Sequence, residues 1–250
     1  MVAVPPNARQ RRARGATIAP ASAQEGTVDA NWKKQQVAWA AVELVRPILR
    51  PDTIIGVGTG STANCFIDAL MPHASQFRAA VASSEATAKR LSAGGITLME
   101  AADAGTLGVY VDGADEADPN FCLIKGAGGA LTREKIVAAT AERFVCIVDD
   151  SKCVDRLGAC ALPIEVIPMA ADHVSRTCRA LGGEVELRAG FVTDNGNLIL
   201  DVSGLDLSDP RAMESELNDI AGVVSNGLFA LRPADVVMVA EDQGVTTRVR

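Results

Sequence analysis

"TIIGVGTGSTANCFIDAL", residues 53–70, decides the fold. "TIIGV" (53–57) is a short apolar run of the strand type, "GTGST" (58–62) is a turn, and "ANCFIDAL" (63–70) reads as the helix that follows. Strand, glycine turn and helix in that order make one β-turn-α unit. The pattern repeats in "FRAAVAS" (77–83) with a helix over 85–93, and in "LGVYVD" (107–112). It continues with "LTREKIVAATAE" (131–142) and the strand "RFVCIVDD" (143–150). Alternating strands and helices predict right-handed crossovers and a mostly parallel sheet. Upstream, Val37, Ala41, Leu44, Val45 and Ile48 form one helical stripe that Pro51 should close, with Trp39 on the same helix read as packing.

After about Ala161 the pattern changes. "LPIEVIP" (162–168) and "GEVELRAGFVTDNGNLILDV" (183–202) carry an Asn195-Gly196 turn between apolar runs, a hairpin signal. Helices are expected near 171–181 and 210–219, and the buried run "ADVVMVA" (234–240) can return to the first sheet. The expected fold is α/β: a Rossmann-like, mostly parallel sheet flanked by helices, with a smaller inserted α+β domain. The main domain would comprise 31–161 plus 230–250, and the small one 162–229.

A hydrophobic content of 48% over 250 residues supports a sizeable core, and a formal charge of -7 argues against a nucleic-acid surface. No apolar run is long enough to span a bilayer. Cys65, Cys122, Cys146, Cys153, Cys160 and Cys178 form no C-x-x-C pair and read as reduced core thiols, which suits the cytoplasm. With only His73 and His173, no metal site or cofactor is expected. Residues 1–30 hold four arginines and no acid before Glu25; they are expected to be a disordered tail, with an organellar transit peptide as the alternative.

Three segments carry chemistry. "GVGTGSTA" (56–63) joins a strand to a helix, so glycines permit a tight turn and free helix amides attract phosphate, with Ser61 and Thr62 adding hydroxyls. It lacks the Lys of a Walker loop; the plainer reading is a capped glycine turn. "IKGAGGALTREK" (124–135) repeats that plan, with Lys125 at its start and Glu134 in the helix. "VDGADEADP" (111–119) crowds Asp112, Asp115, Glu116 and Asp118 at a strand end, where a solvated turn is the plainer reading. All three belong at the carboxyl edge of one sheet, where open α/β folds bind ligands. A carboxylate, a lysine and a phosphate cradle suggest proton abstraction beside a sugar carbonyl, with Glu134 as base and Lys125 stabilising an enediolate. Glu116 and Asp118 read as turn caps, and Arg133 and Lys135 as exposed helix charges.

"GVGTGSTA", "VDGADE", "LIKGAGGALTREKI", "VDDSK", "LPIEVIPMA", "TDNGN" and "GVVSNGLFA" stand in the order seen in ribose-5-phosphate isomerase of the A type, and the chain resembles that family from about residue 31 to 250. The resemblance implies metal-free interconversion of D-ribose 5-phosphate and D-ribulose 5-phosphate in the non-oxidative pentose phosphate pathway. It implies Glu134 as base, with Lys125 and Asp112 as further catalytic groups. Implied substrate contacts are Lys34, Thr59, Gly60, Ser61, Thr62, Asp112, Gly113, Ala114, Asp115, Lys125, Gly126, Ala127, Gly128 and Lys152. Adjacent Lys33 competes with Lys34 for its place. Ala127 departs from the family's glycine run, at a cost if its φ is positive. The expected partner is a small sugar phosphate, and the expected assembly a homodimer or homotetramer. A sugar-phosphate sensor and a nucleotide-binding dehydrogenase are the competing classes. The first would lack use for Glu134; the second lacks the full glycine fingerprint and a better acid than Glu85.

Overall fold

The structure is a computed structural model that describes Met1 and residues 29–250. The tail expected over 1–30, and the transit-peptide alternative, otherwise fall outside the described residues. Asp29 caps helix α1 (Ala30–Val45) through its side chain. There follow β1 (Ile54–Val57), α2 (Ser61–Leu70), β2 (Ala79–Ala82), α3 (Glu85–Ala93), the one-turn α4 (Ala101–Ala104) and β3 (Val109–Asp112). Next come β4 (Glu116–Ala117), β5 (Leu123–Ile124), α5 (Leu131–Thr140), β6 (Phe144–Asp149), β7 (Leu162–Val166), α6 (Ala171–Ala180) and β8 (Glu184–Leu187). The chain ends with β9 (Leu198–Ser203), α7 (Pro210–Asn218), β10 (Val223–Asn226), β11 (Leu228–Phe229), β12 (Val236–Glu241) and β13 (Gly244–Val249).

The main sheet runs β13-β12-β6-β3-β1-β2, parallel except for the antiparallel edge strand β13. Its parallel strands are mainly apolar because both faces are covered, whereas the edge strand β13 is polar and largely exposed. Ile55, Val57, Val109, Val111, Val145 and Ile147 pack on one side with Val37, Ala41, Phe66 and Leu70 of α1 and α2. Ile54, Tyr110, Phe144, Cys146 and Val148 point the other way, onto Val137 and Ala138 of α5. Adjacent residues thus serve opposite layers, as the two-residue strand period requires. A second sheet, β10-β7-β9-β8, is antiparallel and packs on α6 and α7 through Ile164, Val174, Leu200 and Leu217. A three-stranded sheet, β11-β5-β4, lies between the two. The fold is therefore α/β with a smaller antiparallel unit, and β12 rejoins the first sheet beside β6.

Three expectations need correction. The first helix ends at Val45, and Pro47 turns the chain into a 3₁₀ segment before Pro51 is reached; proline cannot supply the amide that a longer helix needs. Trp39 is 58% exposed and packs on nothing that buries it. The hairpin strands β8 and β9 do not abut the Asn195-Gly196 turn, because residues 188–197 form a long connection. There the side chains of Thr193, Asn195 and Asn197 are all taken by the buried carboxylate of Glu165. Among the described residues no helix is long and apolar enough to cross a membrane.

Candidate active site

The carboxyl ends of β1, β3 and β6, the loop after β5 and the start of α5 surround a cavity of about 430 Å³. At one end lies the turn before α2. Gly60, at φ 119°, caps the helix with no side chain. The first amides of α2, which no helical carbonyl can reach, are thus left for a ligand. Thr59, Gly60, Ser61, Thr62, Lys34 and Lys152 line this end. Beneath it, the Thr59 hydroxyl is bound to Ser83 and Ser84, at 2.7 and 2.9 Å, which fixes the turn from below.

Lys125 and Glu134 stand at the other end, both buried and both lining the cavity. The Lys125 ammonium lies 2.6 Å from Asp112 Oδ2, 2.7 Å from the Gly113 carbonyl and 3.2 Å from Glu134 Oε2. Asp112 is fully buried and satisfied: Oδ1 accepts from the amides of Thr59 (3.1 Å) and Gly113 (2.7 Å), and Oδ2 from Lys125 and the Tyr110 hydroxyl. This packing depends on Gly58, where a Cβ would fall 1.8 Å from Asp112 Oδ1. One ammonium therefore faces two carboxylates and is held better by Asp112, leaving Glu134 Oε2 without an aligned hydrogen bond. Burial, with like charge from Asp112 and Asp115, outweighs the pull of Lys125 and pushes the Glu134 pKa up to about 8. Burial opposes the Lys125 charge, but Asp112 and Glu134 outweigh it and hold its pKa above the usual lysine range.

The glycine-rich loop tolerates its alanine. Among the described residues, Phe121 alone has positive φ without being glycine, so Ala127 sits in ordinary backbone while Gly126 and Gly129 take φ 104° and 77°. The Ala127 amide donates to Asp115 at 2.9 Å, and Arg188 donates to its carbonyl at 3.0 Å. The loop is thus tied to both the acidic turn and the smaller unit.

The sequence model described as ribose 5-phosphate isomerase A (phosphoriboisomerase A) matches residues 79–244. "Ribose-5-phosphate isomerase A" of Bordetella avium (strain 197N) is 58% identical over 85% of this chain and 95% of its own length. The chain belongs to the ribose 5-phosphate isomerase A family. The ribose 5-phosphate isomerase A structure from Neisseria gonorrhoeae superposes with TM-score 0.86 at 41% identity, over 90% of this chain and 99% of that one. A D-ribose-5-phosphate isomerase solved with phospho-erythronic acid gives TM-score 0.84 at 36% identity, over 89% and 100%.

In this member of the ribose 5-phosphate isomerase A family, all the sequence-derived site residues but one line the cavity, Gly113, Ala114, Asp115, Gly126 and Gly128 included. The exception is Asp112, which is fully buried, its carboxylate lying under Lys125 rather than on the cavity wall. Lys34 rather than Lys33 faces the cavity; Lys33 instead bridges Asp150, at 2.8 Å, and Asp242, at 2.7 Å. Glu116 is buried, its carboxylate capping the amides of Gly158 and Cys160, while Asp118 holds those of Asn120 and Cys122. Lys135 is not an exposed charge but pairs with Glu214 and sits over Phe229. Arg133 bonds Asn195 and the Asp194 carbonyl. Sequence reasoning missed Asp149 and Ser151, which also line the cavity, although "VDDSK" contains both. Among the described residues no cluster of three His, Cys, Asp or Glu side chains could hold a metal.

Proposed function

We propose that the chain interconverts D-ribose 5-phosphate and D-ribulose 5-phosphate through an enediolate, as a step of the non-oxidative pentose phosphate pathway. Family membership supports the substrate; the chemistry rests on one observation, a buried carboxylate 3.2 Å from a buried ammonium at the far end of an anion cradle. The phosphate takes the uncapped turn of α2, with Lys34 and Lys152 supplying opposite charge. That anchors the sugar with its reacting carbons at Lys125 and Glu134. Asp115, which lines the cavity, takes the anomeric hydroxyl proton and hands it to the ring oxygen as the bond from that oxygen to C1 breaks and the ring opens.

In the open aldose, Glu134 removes the proton from C2. The C–H electron pair forms the C1–C2 double bond and negative charge moves to O1. As Glu134 becomes neutral, the N–H of Lys125 that faced it is released to the developing oxyanion, while Asp112 keeps the ammonium in place. A proton passes from O2 to O1, and Glu134 returns its own to C1, leaving the ketose. A base with its pKa near 8 matches this task, being strong enough to take the proton yet ionised in a useful fraction near neutrality. The relative solved with phospho-erythronic acid fits the same layout, since that compound pairs a phosphate with a carboxylic acid that could face Lys125.

The testing experiment is ketose formation from ribose 5-phosphate in the presence of a chelator. Turnover that disappears with the chelator, or that fails on this substrate while the protein is folded, would refute the reading.

A further inference from the structure

Tyr110 is the single tyrosine of the chain, is fully buried, and does not line the cavity. Its ring stacks on Phe144 at 5.0 Å between centroids, a contact that phenylalanine would make equally well. The hydroxyl is what needs explaining. It donates to Asp112 Oδ2, the oxygen that Lys125 also holds at 2.6 Å. The other oxygen of Asp112 is filled by the Thr59 and Gly113 amides, whereas Glu134 Oε2 has no aligned partner. We propose that Tyr110 is a positioning residue for the reaction, its hydroxyl dividing Lys125 between Asp112 and Glu134.

The physical basis is competition for one cation. Each donor on Asp112 drains charge from it and loosens its claim on the ammonium, which then turns further toward Glu134. Without the phenol O–H, Asp112 draws Lys125 closer, and Glu134 meets more like charge with less compensation. Its carboxylate becomes harder to ionise. The groups facing Glu134 are Lys125 after β5, Asp112 and Tyr110 on β3, Asp115 in the loop beyond, and Cys146 on β6 beside Asp112 and Lys125. Lys34, Asp149 and Lys152 share the cavity. On α5 itself, Arg133 and Lys135 are held by residues 194–195 and by Glu214. Burial, with Asp112 and Glu134 nearby, keeps the phenol protonated far above its ordinary pKa, so it acts as a donor throughout the working range.

The inference rests on Glu134 being the base, and the test separates the two. In Tyr110→Phe, the acid limb of kcat/KM should move to higher pH by about 0.5–1 unit. Activity at pH 7 should then fall about three- to tenfold and recover as the pH rises, with KM little changed. An unmoved limb, or one moved to lower pH, would overturn the inference while leaving Glu134 its role; a fully active Glu134→Gln would instead remove the base. Should Tyr110→Phe fail to fold, replacement of this one tyrosine by 3-fluorotyrosine strengthens the donor and keeps the ring. The limb should then shift to lower pH, and a stationary limb overturns the inference.

Discussion

Replacing Glu134 by glutamine keeps the shape of the side chain and removes the proton acceptor. Turnover should fall at least about a hundredfold, the usual scale for loss of a general base. The same change should stabilise the fold, in a pH-dependent way. Unfolded, this carboxyl ionises near its ordinary value of 4.5; folded, burial beside Asp112 keeps it protonated up to about 8. Between those values the native state binds more protons than the unfolded one, so wild-type stability falls as pH rises. At about 1.4 kcal/mol per pH unit the window caps the loss at roughly 5 kcal/mol. The pull of Lys125 is already contained in that raised pKa, so a difference of a few kcal/mol, below this cap, is expected at pH 8. The raised pKa of Lys125 stabilises the fold fully below its unfolded value of 10.5 and adds nothing to this window. Guanidinium unfolding at pH 5, 6.5 and 8 should therefore show Glu134→Gln about as stable as wild type at pH 5 and increasingly more stable above it. A stability difference independent of pH, or one favouring wild type at pH 8, would refute the electrostatic account. Near-wild-type turnover would refute the base.

Lys34→Met and Lys152→Met should each raise KM about tenfold or more with a smaller effect on kcat, by loss of a charged phosphate contact. Initial rates over a range of ribose 5-phosphate concentrations separate the two constants. Ala127→Gly should retain activity and lose no more than about 1 kcal/mol, because the backbone there is ordinary. Gly129→Ala should be damaging: φ is 77° and the new methyl would lie 2.2 Å from the Phe191 ring, so both the melting temperature and kcat should drop. Gly58→Ala should push Asp112 off its amides, costing at least about 3 kcal/mol as a buried ion pair is disrupted, read as a lower unfolding midpoint.

The β-turn-α unit around 53–70 and the helix-strand step over 131–150 were legible because each is local: the helical and strand periods lie within one stretch of chain, joined in the first case by a glycine turn. The meeting of the 59–62 turn and the acidic turn also followed, since β1 and β3 are parallel neighbours that carry their carboxyl ends to one edge; the Lys125–Glu134 loop was expected on the same sheet but reaches the cavity from β5, a strand of the antiparallel β11-β5-β4 sheet. Where the reading failed, the cause was non-local. Glu116 looks like a surface acid until the 158–160 loop folds over it, and Lys135 looks like one more helix charge until Glu214 meets it from α7. The Asn195-Gly196 signal was real as a turn, but Glu165, on a different strand, captured the side chains around it.

By itself the order of residues determined which groups would meet: carboxylates, lysines and glycine loops at strand ends. Tertiary packing alone decided how charge is shared among them. It buried Asp112 beneath Lys125, set Tyr110 against it, and left Glu134 the less satisfied of the two acids that face Lys125. The reason is that proton affinity depends on burial and on distances of a few ångströms between elements far apart in the chain, which no local pattern encodes.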